Sequence, residues 1–313
     1  MVAKNQFLFS IIVTTKNEEK NIASCLESIQ FQTYPQGKIE IIVVDNNSVD
    51  RTKKIAKRYT DLVFNKGPER SKQRNFGILE KAHGEYLIYL DADMILSSTL
   101  VEKAVEKLEQ ENLIALYVPE IVLGDSFWSK ARRFERSFYG GTVIDCVRVI
   151  RKDAFQKTGG FDLEMTGPED WDFDKKIRNL GKVALVDQYN FEQINKNLRK
   201  INFNSQKWVA ELTRLHRQAL IYHNEIEFDF KKYLTKKVFY SKSFDVYRKK
   251  WGEDDPDVKK QFSLWYRYFK VFLENKKWQR LARHLFLFLG VFFLRFIVGV
   301  IFVYSRIEKQ STK

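Results

Sequence analysis

Short runs of β-branched and aromatic residues alternate, over the first half of the chain, with longer polar stretches in which apolar positions return every three or four residues. The short runs predict strands at 7–15, 39–45, 62–65, 86–90 and 113–119. The stretches between them predict helices at 18–30, 50–60, 70–82 and 97–111, the last with Leu100, Val101, Ala104, Val105 and Leu108 on one face. Strands alternating with helices predict a mostly parallel sheet covered by helices, an α/β fold. Further on, a Trp/Arg/Phe-rich helix at about 126–139 precedes an apolar strand near 143–150 and a turn at Gly159 and Gly160. A helix then runs from Glu169 to Asn179, with Gly181 placed to end it. Beyond about residue 200 strand character largely disappears, which predicts a sheet domain over 1–225 and a helical region over 226–313.

Charge changes the picture of that second region. The chain carries 54 Lys and Arg against 40 Asp and Glu, a net +14, of which residues 1–225 contribute +3, 226–283 contribute +8 and 284–313 contribute +3. The basic stretch leads into 285–304, where sixteen of twenty residues are Leu, Ile, Phe or Val and Arg295 is the only charge. Twenty apolar residues match the thickness of a hydrocarbon core. Sixteen such residues favour insertion by about 5 to 10 kcal/mol, against about 3 kcal/mol for a central arginine. Arg295 can snorkel, or it can split the run into two halves lying in the interface as a hairpin; a buried core helix is the soluble alternative.

Lys276, Lys277, Arg280 and Arg283 ahead of the run place the main domain on the cytoplasmic face of the cell membrane, and basic residues near an anionic leaflet each add about 1 kcal/mol of attraction. Trp251, Trp265, Tyr266, Tyr268 and Phe269 lie among these charges as in some binders of single-stranded nucleic acid, but the apolar run that follows favours a membrane and no nucleic acid. Cys25 and Cys146, on a predicted helix and strand, read as buried thiols of a reducing compartment. The N-terminal MVAKNQ lacks a signal-peptide cleavage pattern.

Ligands of open parallel sheets collect beyond the carboxyl ends of the strands. The first strand ends in Thr14, Thr15, Lys16, Asn17, Glu18 and Glu19, with no glycine before Gly37, so neither a dinucleotide GxGxxG loop nor a Walker A loop follows it. A bound nucleotide would be held by side chains. The second strand ends in Asp45, Asn46, Asn47 and Ser48; Asp45 can accept from a ribose hydroxyl or base N–H, while Asp50 can cap the next helix. The fourth strand runs into Asp91, Ala92 and Asp93. Residues two apart on an extended segment point to the same side, so both carboxylates can share a divalent cation with a diphosphate, or both can cap the next helix.

Three stretches, FSIIVTTKNEEKNIASCLESI (9–29), IIVVDNNSVDRT (41–52) and RSKQRNFGILEKAHGEYLIYLDAD (70–93), resemble the family 2 inverting glycosyltransferases of GT-A fold, in order and spacing. GGFDLEMTGPEDWDFDKKIRNLG (159–181) looks like the acceptor-side segment of that family, and the resemblance covers about 7–190. It implies that Thr14, Asn17, Glu18, Asp45, Asn46, Arg74 and Asp91 bind the nucleotide sugar. Asp93, with Asp91, would hold Mn2+ or Mg2+, and Asp170 would be the catalytic base, with Glu169, Trp171 and Asp172 on the acceptor side. Many members carry Asp where this chain has Asn46, which puts the ribose or base contact there in question. Thr14, Glu18, Asp45, Arg74, Trp171 and Asp172 each also have an ordinary structural reading, as strand end, helix cap, solvated helix residue or core.

The implied function is transfer of a sugar from a UDP- or GDP-sugar to an acceptor hydroxyl, on a lipid-linked oligosaccharide or surface polysaccharide. A polyprenyl-phosphate sugar synthase is the alternative, although such enzymes attack with an oxygen already ionised and usually carry a glutamine two residues after the second Asp, where this chain has Ile95. A sugar nucleotidyltransferase would need a glycine-rich phosphate loop. A catalytically silent binding module is disfavoured by the presence of Asp91, Asp93 and Asp170.

Overall fold

A computed structural model describes residues 7–274 and 277–311, with side chains as far as residue 301. Lys276, the N-terminal MVAKNQ and the side chains of Phe302, Val303 and Tyr304 lie outside the described residues. The first strands and helices follow the hydrophobic pattern: β1 (Phe9–Thr15), α1 (Ile22–Gln30), β2 (Ile39–Asp45), α2 (Thr52–Ala56), β3 (Val63–Asn65) and α3 (Arg70–Asn75). A π-helical turn over Phe76–Lys81 extends α3 before β4 (Tyr86–Asp91), β5 (Met94–Leu96) and α4 (Leu100–Gln110). There follow β6 (Ala115–Tyr117), β7 (Glu120–Val122), α5 (Phe127–Arg136), β8 (Val149–Arg151), α6 (Lys152–Lys157), α7 (Glu169–Leu180), β9 (Val183–Leu185), α8 (Phe191–Leu198), α9 (Trp208–Arg214) and β10 (Ile221–His223).

Seven strands form one sheet in the order β3-β2-β1-β4-β8-β6-β9, and β5-β10-β7 form a smaller one. In the large sheet β8 runs antiparallel to both its neighbours, and the other pairs are parallel. Ile11, Val13, Val43, Ile88 and Leu90 pack on one face with Cys25, Leu26 and Ile29 of α1. Ile12, Ile42, Val44, Leu87 and Tyr89 pack on the other with Phe155, Phe161, Phe173 and Ile177. Both faces being covered is why these strands read as continuous apolar runs rather than alternating ones.

Two expectations need correction. The apolar run at 143–150 is extended only at its end, because Asp145 accepts from the Gly141 N–H at 2.8 Å and donates its own N–H to Thr142, fixing a turn instead of a ladder. Beyond residue 200, β10 is a strand; three residues are too few to show a period, and it forms by pairing with β5 and β7. Helix α7 does stop before Gly181, whose extended backbone lies close enough to Ile114 that a Cβ would sit 3.1 Å from it.

The C-terminal helices α10 (Phe230–Ser241), α11 (Phe244–Trp251), α12 (Pro256–Phe262), α13 (Val271–Leu273), α14 (Gln279–Arg283) and α15 (Leu285–Ser311) wrap onto the sheet domain. Tyr247 and Val258 pack on Met165 and Trp171. Phe272 and Val291 pack with Ala131 and Phe134 of α5 and with Phe138 just beyond it. Gly290 allows α15 this approach, since a Cβ there would lie 2.7 Å from the Phe127 ring. The segment 285–304 is thus neither split nor a hairpin: it lies within one unbroken helix. Arg295 is buried against α5, donating to Glu135 at 2.8 Å and to the Tyr139 hydroxyl at 2.7 Å. Among the described residues no helix is long and apolar enough to cross a membrane.

Candidate active site

The chain leaves β1 for β2 and β3 on one side and returns to β4 on the other, so a topological switch point falls at the carboxyl ends of β1 and β4, where open α/β sheets bind ligands. Strand register sets Thr14 opposite Asp91 and Thr15 opposite Asp45. The Thr14 hydroxyl lies 3.1 Å from Asp91 Oδ1 and 3.2 Å from the Leu90 carbonyl, either of which can accept from it.

Two arginines one turn apart on α3 connect the strand ends to α7. Arg74 is wholly buried; it donates to Asp170 Oδ1 at 2.8 Å and Asp91 Oδ1 at 3.2 Å, with its guanidinium 4.6 Å from the Tyr89 ring and 5.1 Å from that of Phe161. Arg70 donates to Asp91 Oδ2 at 3.2 Å and to Glu169 Oε1 at 2.8 Å, beneath the Tyr240 ring at 5.1 Å. Burial alone would raise the Asp91 pKa, but Arg70, Arg74 and Arg148 hold it well below the carboxylate range. Asp170 is likewise lowered against burial, chiefly by Arg74 and then Arg148. Burial raises Glu169, with Arg70 opposing.

Asp93 differs from Asp91. Its Oδ1 is buried and has no hydrogen-bond partner among the described residues, a condition that needs a reason in a folded protein. Its backbone carbonyl accepts from Asn224 at 2.8 Å, which keeps β10 nearby. His223 on β10 has its Nε2 2.9 Å from Glu120 and 3.1 Å from Arg136, and burial with Arg136 lowers its pKa to about 4, so the ring is neutral at pH 7. The protein around Lys236 of α10 would lower its pKa, but Tyr240, Asp93 and Asp91 raise it.

The remaining residues singled out in the sequence build the walls. Asn17 has a left-handed backbone (φ 53); its N–H donates to Ser48 Oγ at 2.7 Å and its Oδ1 accepts from Val49 at 3.0 Å. Asp45 is unexposed, with its two oxygens on the Ser48 N–H and hydroxyl at 2.7 and 2.5 Å. Asn46 donates to the Pro68 carbonyl. Glu18 accepts from Asn21 at 2.6 Å, and burial raises its pKa against that bond. The loops after β1 and β2 are thereby fastened to each other.

On α7, the structure places Asp170 and Glu169 with the arginines, and Asp172 elsewhere. Asp172 is unexposed and accepts from Trp251 Nε1 at 2.9 Å and Lys250 at 2.8 Å, tying α7 to α11. Trp171 donates to the Ile144 carbonyl at 3.4 Å and stacks on Phe244. Arg70, Arg148, Lys236, Tyr240 and His223 complete the cluster without having been assigned to the donor and metal site in the sequence. For Arg70 a signal existed, since it stands four residues before Arg74 on a helix face. His223 had none, because only the pairing of β10 brings it near Asp93.

An α/β sheet with a carboxylate-rich switch point of this kind matches the GT-A architecture. Residues 10–159, just under half of the chain, match the family described as Glycosyl transferase family 2. The chain is 35% identical over 106 residues to the glycosyltransferase AglE of Haloferax volcanii, an alignment covering 32% of this chain and 34% of that protein. It is 29% identical to a PGL/p-HBAD biosynthesis glycosyltransferase of Mycobacterium bovis, over 58% of this chain and 73% of the relative. The first of these relatives is thus matched over only about a third of its length. Among solved structures, the mannosyltransferase of Pyrobaculum calidifontis in complex with GDP-Man and Mn2+ superposes with a TM-score of 0.53 at 18% identity, over 89% of this chain and 75% of that one. Staphylococcus aureus TarS 1-349 gives 0.51 at 18%, over 87% and 77%. At these identities the likeness shows the fold.

Proposed function

We propose that the chain is an inverting glycosyltransferase that moves a sugar from a nucleotide-sugar donor to an acceptor hydroxyl, with a divalent cation at the donor diphosphate. The observation that carries this reading is the arginine bridge: Arg74 holds, within 3.2 Å, a carboxylate on the donor side, Asp91, and one on the acceptor side, Asp170. It fixes the span between the two halves of a displacement reaction, which positioning residues must hold for rate. Asp170 is ionised at neutral pH and engaged only through Oδ1 among the described residues, and its side chain is 24% exposed. Its second oxygen can take the proton of an acceptor hydroxyl as the new bond forms.

A divalent cation suits Asp93, whose buried Oδ1 lacks a partner while Asp91 is spent on two arginines. Among the described residues no group of three acidic, histidine or cysteine side chains is placed to hold a metal ion. Asp91 and Asp93 make two carboxylates, the number with which Mg2+ or Mn2+ is commonly held when substrate phosphates complete the shell. The neighbour that binds GDP-Man with Mn2+ supports a cation in this fold. When bound, the cation would neutralise charge on the leaving diphosphate. Lys236, facing Asp91 and Asp93, adds positive charge on the same side.

We further infer that the enzyme works at the cytoplasmic face of a membrane, through the outer face of α15. Phe286, Leu289, Phe293, Phe296 and Val300 recur at helical spacing and are each more than half exposed, while Val291, Leu294 and Arg295 on the other side are buried. Trp265, Leu264 and Trp278 are exposed as well. An apolar face flanked by lysines and arginines suits the headgroup boundary of an anionic bilayer, and the acceptor is then lipid-linked or a surface glycan. The deciding experiment for the chemistry is Asp170→Asn, which keeps shape and one acceptor oxygen while removing the base. Donor binding should stay within about threefold of wild type, and transfer should fall by about 10²–10⁴. Transfer at the wild-type rate would exclude Asp170 as the base.

A further inference from the structure

A second concentration of charge lies apart from the arginine bridge, between α5, α10 and α15. Arg132 pairs with Glu225 through two bonds of 2.9 and 2.8 Å, and Arg295 with Glu135 at 2.8 Å. Two further cations have no acidic partner among the described residues. Lys237 of α10, only partly exposed, makes no hydrogen bond or ion pair there; its ammonium lies 5.5 Å from the Tyr233 ring, which also takes the Arg132 guanidinium at 4.9 Å. Arg267, between α12 and α13, donates to the Gln261 carbonyl at 3.3 Å and lies 5.8 Å from the Trp171 ring.

Burial, then Arg132, lower the Lys237 pKa to about 7; Arg267 and Arg136 act in the same direction, and Glu135 is the one carboxylate prominent among the opposing charges. A half-buried lysine among three arginines loses hydration without a compensating partner, which is costly to folding. Such an arrangement becomes favourable when a multiply charged oxyanion enters, because charge-assisted bonds to phosphate are strong and short. Its position identifies the ligand further. Trp171, under Arg267, adjoins Asp170, and α10 rests on the loop before that pair, since a Cβ on Gly167 (φ +108) would lie 2.5 Å from the Tyr240 carbonyl. Helix α10 also packs against α15, whose outer face is apolar.

We propose that Lys237, Arg267 and Arg132 form a subsite for the phosphate or diphosphate of a lipid-borne acceptor, with the lipid running along α15 and the acceptor hydroxyl reaching Asp170. This deepens the transferase reading and rests on it for the word acceptor; the binding itself does not need turnover. Lys236 and Lys237, neighbours on one helix, then serve different anions, the donor diphosphate on the Asp91 and Asp93 side and the acceptor phosphate on the α5 side.

The test is calorimetric titration of the full chain in mild detergent with EDTA present, so that no cation bridges a diphosphate to Asp93. Farnesyl diphosphate is the probe, with farnesol and inorganic pyrophosphate as controls. Wild type should bind farnesyl diphosphate more tightly than either control. Lys237→Met and Arg267→Met should each weaken it at least about tenfold, and Lys237→Arg should stay within about threefold. Lys237→Met should melt at the wild-type temperature or above, because it removes an unpaired cation; a purely structural lysine would give a lower melting temperature. Equal affinity in wild type and Lys237→Met, or equal affinity for farnesol and farnesyl diphosphate, overturns the subsite. Displacement of the probe by phosphatidylglycerol vesicles, but not phosphatidylcholine vesicles, would assign the basic cluster to bulk headgroups and overturn the acceptor assignment. Wild-type transfer in Asp170→Asn with probe binding intact is failure of the catalytic reading alone, whereas loss of transfer in that variant with no Lys237-dependent probe binding is failure of this one alone.

Discussion

Replacing Arg74 by Met should cost about 3–5 kcal/mol of stability at neutral pH, the range seen when one partner of a buried ion pair is removed. The side chain is wholly buried, bridges Asp170 at 2.8 Å and Asp91 at 3.2 Å, and lies 3.9 Å from Glu169. Methionine replaces much of its packing against Tyr89 and Phe161, so the deficit is electrostatic. In wild type, Asp91 and Asp170 have pKa values below those of unfolded carboxylates. Their contribution is therefore complete above the ordinary carboxylate range and is lost only as pH falls through the lowered values. Without Arg74, Arg70 and the more remote Arg148 face three carboxylates, and at least one of these rises above its unfolded pKa. That group is stabilising in its protonated form, so the deficit of the variant shrinks as pH falls, by about 1.4 kcal/mol for each unit of pKa gained. Urea unfolding of wild type and Arg74→Met at neutral pH and at about pH 5 measures both quantities. A deficit under about 1 kcal/mol, or one that stays flat or widens on acidification, would refute the bridge as the element holding the two sides together.

Asp93→Ala should abolish any Mn2+-dependent rise in melting temperature with a nucleotide sugar while leaving the fold intact, because the orphaned Oδ1 has no partner to lose among the described residues; an undiminished rise would move the cation elsewhere. Phe286→Ser with Phe296→Ser should lower sedimentation with phosphatidylglycerol vesicles by about tenfold or more, since each phenylalanine contributes about 1.5–3 kcal/mol on burial, and high salt should lower it further by screening the basic flank. Unchanged sedimentation in the double variant would remove α15 as the contact.

The hydrophobic pattern by itself determined the first four strands, the helices between them and the acidic residues at strand ends, because these are local: period, length and the residue following an apolar run. It carried the family resemblance for the same reason, since 10–159 holds the consecutive β and α units in which each motif sits within a few residues of its strand. Whether a polar side chain faces a ligand or a neighbouring loop was not legible. Asp45 and Asp93 both follow apolar strands, yet Ser48 takes both oxygens of the first while the second keeps one buried oxygen unpartnered. Asp170 and Asp172 stand two apart on one helix, and the roughly 200° between them sends one to Arg74 and the other to Lys250 and Trp251. The apolar run at 285–304 has the composition of a membrane span, and only packing against α5 shows that Arg295 has a carboxylate waiting 160 residues earlier. His223, Lys236 and Lys237 each face a charge more than a hundred residues away, Asp93, Asp91 and Arg132 respectively. Local patterning sets the elements, but long-range pairing decides which charges meet, because a carboxylate is neutralised by the nearest cation in space and the sequence records only its neighbours along the chain.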